Sequence, residues 1–350
     1  MGNRRFPRLG FWRLMRHINI PIFIPHLGCP NGCVFCNQRS ISGREEFRPA
    51  DMEREVEQVL STVGAEDQAE IAFFGGSFTG IDRALMVELL ERAERFVREG
   101  RVFAIRLSTR PDYIDREILD ILSRYSVKTV ELGLQSMEDR VLLASKRGHT
   151  AEQAREACAL VKDYGFSLIG QMMIGLPESD VASEIVTAET LCDLGVDGAR
   201  VYPTVVFEDT ELCEMAKRGE YRPLVLEDAV ERTSQVLDVF RKRNVPCIRV
   251  GLCASENLAS DKVFGGANHS AIGELAMSRI YYREMCRAIE NCGDVRGKSV
   301  TFFVARGAIS LAVGQKRENI QRIYKKYSPL RVKVLEKNEI LRYNITIECE

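Results

Sequence analysis

Six short apolar runs alternate with longer amphipathic stretches between residues 18 and 204, and this alternation limits the fold more than any other feature of the chain. The runs at 18–24, 70–74, 103–108, 129–133, 167–174 and 198–204 have the length and side-chain character of strands. Between them, 51–63, 83–98, 115–123, 151–164 and 179–194 carry the apolar spacing of helices that lie on a sheet. Strands alternating with helices build βα units and a parallel sheet. Six units in succession suit a barrel or partial barrel. No G-x-G-x-x-G opens the first helix and no P-loop occurs, which argues against a dinucleotide or nucleotide-triphosphate fold. A helix at 225–244, a short strand at 247–250 and a helix at 274–291 complete an α/β body over 18–293, with a basic leader at 1–17 ahead of it.

A parallel barrel assembles its site from the segments that follow its strands. Here those segments are PHLGCPNGCVFCNQ, GGSFTG (75–80), STRPDY (108–113), GLQS (133–136), GLPES (175–179) and YPTVVF (202–207). The first holds three of the eleven cysteines, spaced as Cys29-x3-Cys33-x2-Cys36. The other eight are scattered singly and read as buried thiols. Cys247 and Cys253 are six apart, as are Cys286 and Cys292; on a helix the latter pair falls on different faces, so no second cluster is expected. Three thiolates in one loop can hold an iron–sulfur cluster and leave one iron open to a small molecule. Structural zinc takes four ligands, and His26 is the candidate fourth, so a zinc module stands as the alternative.

The CPNGCVFC loop, with Phe35 before its last cysteine, resembles the signature of the radical SAM superfamily. The resemblance implies a partial (β/α)6 barrel with a 4Fe–4S cluster on Cys29, Cys33 and Cys36. It also implies S-adenosylmethionine (SAM) chelated on the open iron and cleaved by one electron to methionine and a 5′-deoxyadenosyl radical. An electron donor such as flavodoxin or ferredoxin follows as a partner. FFGGSFTG resembles the family's glycine-rich SAM-amino motif, with Gly75 and Gly76 allowing close backbone approach. Ser77 stands where that motif often ends in Glu. Ser108, Arg110 and Gln135 are placed for the SAM carboxylate or ribose, with a pairing of Arg110 to Asp112 as its other reading. Arg147 and His149 lie either toward substrate or at the start of the next helix, where Thr150 is a good N-cap. Tyr202 lines the substrate side or packs. STRPDYI, ELGLQS and KRGHT (146–150) look most like the branch that contains the Elongator catalytic subunit. Oxygen-independent coproporphyrinogen oxidases are similar but more distant. The Elongator subunit has a longer spacing before its second cluster cysteine and an acetyltransferase domain for which this chain has no room, so acetyl transfer is not implied.

From residue 294 to 350 the order is strand, short helix, loop, helix, strand, strand, with SLAVGQKRENIQRI at its centre. This α+β unit resembles a KH domain, which clamps about four nucleotides of single-stranded nucleic acid with a GXXG loop. Here Arg317 stands at the second glycine, and Lys316 and Arg317 are the candidate RNA contacts. A basic cap that binds nothing is the plainer reading. Residues 296–350 carry twelve Lys plus Arg against five acids, net +7, while the rest of the chain is net −8. A basic tail on an acidic body suits a polyanionic partner.

No apolar run approaches the roughly 20 residues of a membrane-spanning helix, and no signal peptide is seen, so a cytoplasmic location is expected. The leading expectation is a radical SAM enzyme that modifies a tRNA base. The alternatives are a small-molecule enzyme related to the porphyrinogen oxidases and a non-catalytic iron–sulfur RNA-binding protein.

Overall fold

In the first strand, β1 (His17–Ile24), Ile20, Ile22 and Ile24 are buried while the residues between them are only partly so. That period of two marks a strand with one face sealed by helices and the other turned into a lumen. The structure, a computed structural model, describes residues 16–24, 29, 32–37, 47–64, 66–252 and 262–350. The basic leader up to residue 15, His26 and Cys253 lie outside the described residues.

The chain continues through α1 (Met52–Leu60), β2 (Gln68–Gly75), α2 (Arg83–Arg98), β3 (Ala104–Thr109), α3 (Arg116–Leu122) and β4 (Val127–Gln135). Then come α4 (Asp139–Ala144), α5 (Ala151–Asp163), β5 (Ser167–Ile174), α6 (Val181–Asp193), β6 (Gly198–Pro203), β7 (Val205–Phe207) and α7 (Glu211–Lys217). The body ends with α8 (Leu226–Lys242), β8 (Cys247–Val250), β9 (Val263–Gly266) and α9 (Ile272–Cys292). Its main sheet runs β1-β2-β3-β4-β5-β6-β8, and every neighbouring pair is parallel. The sheet is a curled half-barrel with one strand more than the six βα units anticipated, because the short run at 247–250 pairs with β6.

The helices cover the outer face for legible reasons. In α2, Met86, Leu89, Leu90, Ala93 and Phe96 form one buried stripe, and Asp82 caps the start by accepting from the Leu85 N–H at 3.0 Å. Capping boxes close α5 (Thr150 with Gln153) and α6 (Asp180 with Ser183). The lumen face is different: Glu70, Arg106, Thr129, Glu131 and Arg200 all point away from the apolar core and are nonetheless buried.

The C-terminal unit comprises β10 (Ser299–Val304), α10 (Ile309–Val313), α11 (Glu318–Tyr327), β11 (Arg331–Glu336) and β12 (Ile345–Cys349). Its sheet runs β11-β10-β12, with β11 parallel and β12 antiparallel to β10. The apolar alternation of 341–348 reads as the last strand of the tail, but the ladder begins only at Ile345: Tyr343 sits at φ 68 and Leu341 is 72% exposed, so the stretch before it is a turn. A second core of Phe302, Val304, Ile320 and Ile323 recruits Tyr281, Met285 and Ile289 from α9. The same helix lends Ala276 and Ile280 to the main core, so α9 joins the two. Arg279 and Arg322 both pair with Glu227 at the start of α8, at 2.7 and 2.9 Å. Among the described residues no helix is long and apolar enough to cross a membrane.

Candidate functional site

The cysteine loop leaves β1 at the C-terminal end of the sheet and is pinned from two sides. Val34 N–H donates to the Ser145 carbonyl at 3.2 Å, and the Val34 carbonyl accepts from Leu212 N–H at 2.8 Å. Val34 packs with Val206, Leu212 and Cys213, and Phe35 lies against the same cluster. Phe35 thus anchors the loop on β7 and α7, two short elements the sequence pattern did not reveal. Cys36 N–H turns back onto the Cys33 carbonyl at 3.0 Å. The three thiols share this loop but are not drawn up at metal-ligand distance, and among the described residues no other group of three metal-ligating side chains is gathered.

Cys33 is the buried member of the trio, and two buried arginines reach its sulfur: Arg147 Nη1 at 3.4 Å and Arg110 Nη1 at 3.8 Å. Arg110 is held at the end of β3 by a two-point grip on Asp112, 2.9 and 2.7 Å, and by the Arg147 carbonyl at 2.6 Å. The anticipated pairing with Asp112 is therefore formed. Arg147 also donates to the Gly133 carbonyl, and a Cβ on Gly133 would come within 2.8 Å of its guanidinium. Burial pushes the Cys29 thiol pKa up, while Arg110 and Arg147 pull against that rise.

The other sequence candidates divide into those turned to structure and those left open. Gly75 has φ 114, and a Cβ there would lie 2.7 Å from the Ile24 carbonyl oxygen, so β2 can end against the last residue of β1 only with glycine. Gly76 N–H donates to that same carbonyl at 2.9 Å. Ser77 is fully buried and bonds Thr109 Oγ1 at 2.7 Å, tying β2 to β3. Ser108 Oγ accepts from Gln171 at 3.2 Å inside the lumen. Gln135 takes a left-handed backbone (φ 69), and its Oε1 is buried without a partner. Arg147 Nε, His149 Nε2 and Ser145 Oγ are also buried without partners in the same region. Buried polar atoms are rarely left unpaired, so these four, all on residues 135–149 around Arg147, leave hydrogen-bonding capacity open to a polar ligand. Thiolates, flanking guanidinium groups and these polar atoms fit a 4Fe–4S cluster and SAM.

His149 is 5% exposed, and its pKa falls from 6.5 to about 4, first through burial and then through Arg147; Arg110 adds to this, while Asp112 and the Thr150 carbonyl oppose it. The unfolded chain therefore takes up a proton that the folded chain refuses between those values. Stability should be fully present above pH 6.5 and fall as pH drops toward 4, by up to about 3 kcal/mol from this group. Urea unfolding of the cluster-free protein at pH 7 and 5 should show a smaller loss in His149→Gln than in wild type; equal losses would assign the acid sensitivity elsewhere.

Sequence reading overlooked the lumen. Glu131 on β4 is fully buried and accepts from Arg106 and Arg200 at 2.8 Å each and from Gln171 at 2.9 Å. Arg106 also donates to Glu70 at 2.8 Å, and Arg200 lies over the Phe74 ring at 5.3 Å. Burial raises the Tyr202 pKa, and its hydroxyl meets Arg200, so Tyr202 faces this network. The available signal was a charged residue in the middle of strands that a parallel sheet normally keeps apolar.

In the tail, Lys316 and Arg317 are exposed, at φ 52 and 62, and form no ion pair among the described residues. Arg317 thus adopts the left-handed backbone that a glycine would supply, at a cost of roughly 1–2 kcal/mol. Cys286 is buried, and Cys292 lies with its sulfur 2.6 Å from that of Cys349.

The radical SAM superfamily model matches residues 23–189, and that of the Radical SAM C-terminal domain matches 196–282. The tRNA uridine(34) acetyltransferase of Methanocaldococcus jannaschii is 28% identical, over 78% of this chain and 56% of that protein. Elongator complex protein 3 of Schizosaccharomyces pombe is 26% identical, over 79% of this chain and 56% of that protein. The chain therefore spans a little over half the length of these curated relatives. The solved structure of the archaeal Methanocaldococcus infernus Elp3 with an N-terminal deletion superposes with a TM-score of 0.63 at 23% identity, covering 77% of this chain and 63% of that one. That likeness establishes the fold.

Proposed function

This chain belongs to the radical SAM superfamily, whose members use a 4Fe–4S cluster and SAM, and we propose that it is an enzyme that modifies a tRNA base by radical chemistry. The observation that carries the reading is the Cys29–Cys33–Cys36 loop at the mouth of a parallel half-barrel, with Cys33 beneath two buried arginines. The chemistry supplied by bound cluster and SAM is one-electron cleavage to methionine and a 5′-deoxyadenosyl radical. The chain's own part is placement. Gly75 lets β2 close against the end of β1, Gln135 and His149 offer polar atoms to the cofactor, and the lumen network fixes a dry wall behind it.

The names of the relatives support tRNA as the substrate class, and the basic KH-like tail supports a nucleic-acid clamp. The acetyl transfer named for the archaeal relatives is not carried over to a chain that spans only part of them. Reconstituted protein given reductant and SAM should release 5′-deoxyadenosine, faster with tRNA. The double change Lys316→Ala/Arg317→Ala should weaken tRNA binding and flatten its log K against log salt slope by about 0.7 for each lost phosphate contact. Basal SAM cleavage should stay unchanged. Wild-type protein with no salt-dependent RNA affinity would make the tail a cap and turn the reading toward a small-molecule substrate.

A further inference from the structure

We propose that Arg110 and Arg147 form a buried cationic clamp on Cys33 that sets the reduction potential of the cluster this thiolate ligates. The inference rests on the reading that the cysteine loop holds a 4Fe–4S cluster. Both arginines are positioning residues, acting through the sulfur rather than on substrate.

Three features carry the proposal. First, the two guanidinium groups arrive from separate elements, one at the end of β3 and one between α4 and α5, and converge on a single sulfur at 3.8 and 3.4 Å. Second, most of their other donors are already committed, with only Arg147 Nε left without a partner. Arg110 spends its fork on Asp112 and its remaining reach on the Arg147 carbonyl, while Arg147 spends Nη2 on the Gly133 carbonyl. Neither keeps a free fork for a two-point grip on a carboxylate such as that of SAM. Third, the charges do not cancel. Asp112 offsets one arginine, and the partners of Arg147 are neutral, so one positive charge remains beside the thiolate.

Uptake of one electron from a reductant such as titanium(III) makes a thiolate-bound cluster more negative by one charge. A fixed cation a few ångströms away stabilises the reduced form more than the oxidised form, and strongly so where water is excluded. Hydrogen bonds to the cluster's sulfurs and the local net charge are what set such potentials. Removing the cation should therefore lower the potential and make the cluster harder to reduce.

The test is an EPR-monitored redox titration of reconstituted protein without SAM, with iron and sulfide counted in parallel. In Arg147→Gln the reduced-to-oxidised ratio at a fixed potential should fall about tenfold, which is about 59 mV for a one-electron couple. Arg147→Lys, which keeps the charge, should lose much less. Gly133→Ala, which presses on the guanidinium without removing it, should move the potential the same way by a smaller step. An unchanged potential in both Arg147→Gln and Gly133→Ala at full iron content would overturn the clamp. So would a weakened SAM affinity in Arg147→Gln with no shift in potential, since the arginine would then be a SAM ligand. Wild-type protein that takes up no four-iron cluster would instead overturn the underlying reading, and the clamp with it.

Discussion

After anaerobic reconstitution, wild-type protein is expected to carry about four irons with matching sulfide, and Cys29→Ala, Cys33→Ala and Cys36→Ala essentially none. Each thiolate supplies one of only three protein bonds to the cluster, so losing one leaves two irons without a protein ligand. SAM cleavage should drop below detection in all three. The controls are Cys158→Ala and Cys192→Ala. Cys158 is buried in the main core, with a pKa pushed up to about 12 by that burial, and Cys192 packs at the core's edge. Neither thiol touches the loop, and both variants should keep full iron content. Iron counts and the visible absorption band check this, and one tightly bound zinc without sulfide would replace the cluster with a structural metal.

The cysteine loop was legible because its chemistry is local: three thiols within eight residues and an aromatic between two of them. The main elements were legible for a similar reason. Residues 167–174 and 83–98 carry their periodicity within themselves and coincide with β5 and α2. What escaped was short and dependent on distant partners. β7 has three residues and exists because it pairs with β9, some sixty residues later. α4 and α7 have six and seven residues and are too short for a period to declare itself. The site divides the same way. The Thr150 N-cap could be read from residue type, since it answers a local backbone need, whereas Gly75, expected to face the ligand, meets the carbonyl of Ile24 from a neighbouring strand. The contact of Arg147 with Cys33 spans 114 residues of sequence, and nothing near either residue announces it. Likewise, Ser77 has the chemistry of a ligand contact, yet folding spends its hydroxyl on Thr109.

The lumen network yields the largest stability effect. Glu131 is fully buried at the centre of the curled sheet, where β3, β4, β5 and β6 present Arg106, Glu131, Gln171 and Arg200 to one another. Burial works against the Arg200 charge, and Glu131 and Tyr202 together more than offset it. Glu131→Ala removes the shared anion. Arg106 keeps Glu70, but Arg200 is left with the Phe74 ring and the Tyr202 hydroxyl, neither of which carries a compensating negative charge. Breaking a buried ion pair from one side typically costs about 3–5 kcal/mol, because the surviving charge stays desolvated. Urea unfolding should show that loss in Glu131→Ala. The double variant Glu131→Leu/Arg200→Met should be markedly more stable than Glu131→Ala, since it removes the stranded charge along with its partner. A loss below about 1 kcal/mol in Glu131→Ala would mean that water solvates Arg200 in the lumen. The wall behind the cysteine loop would then be wet, and exclusion of water from the radical would have to come from the substrate itself.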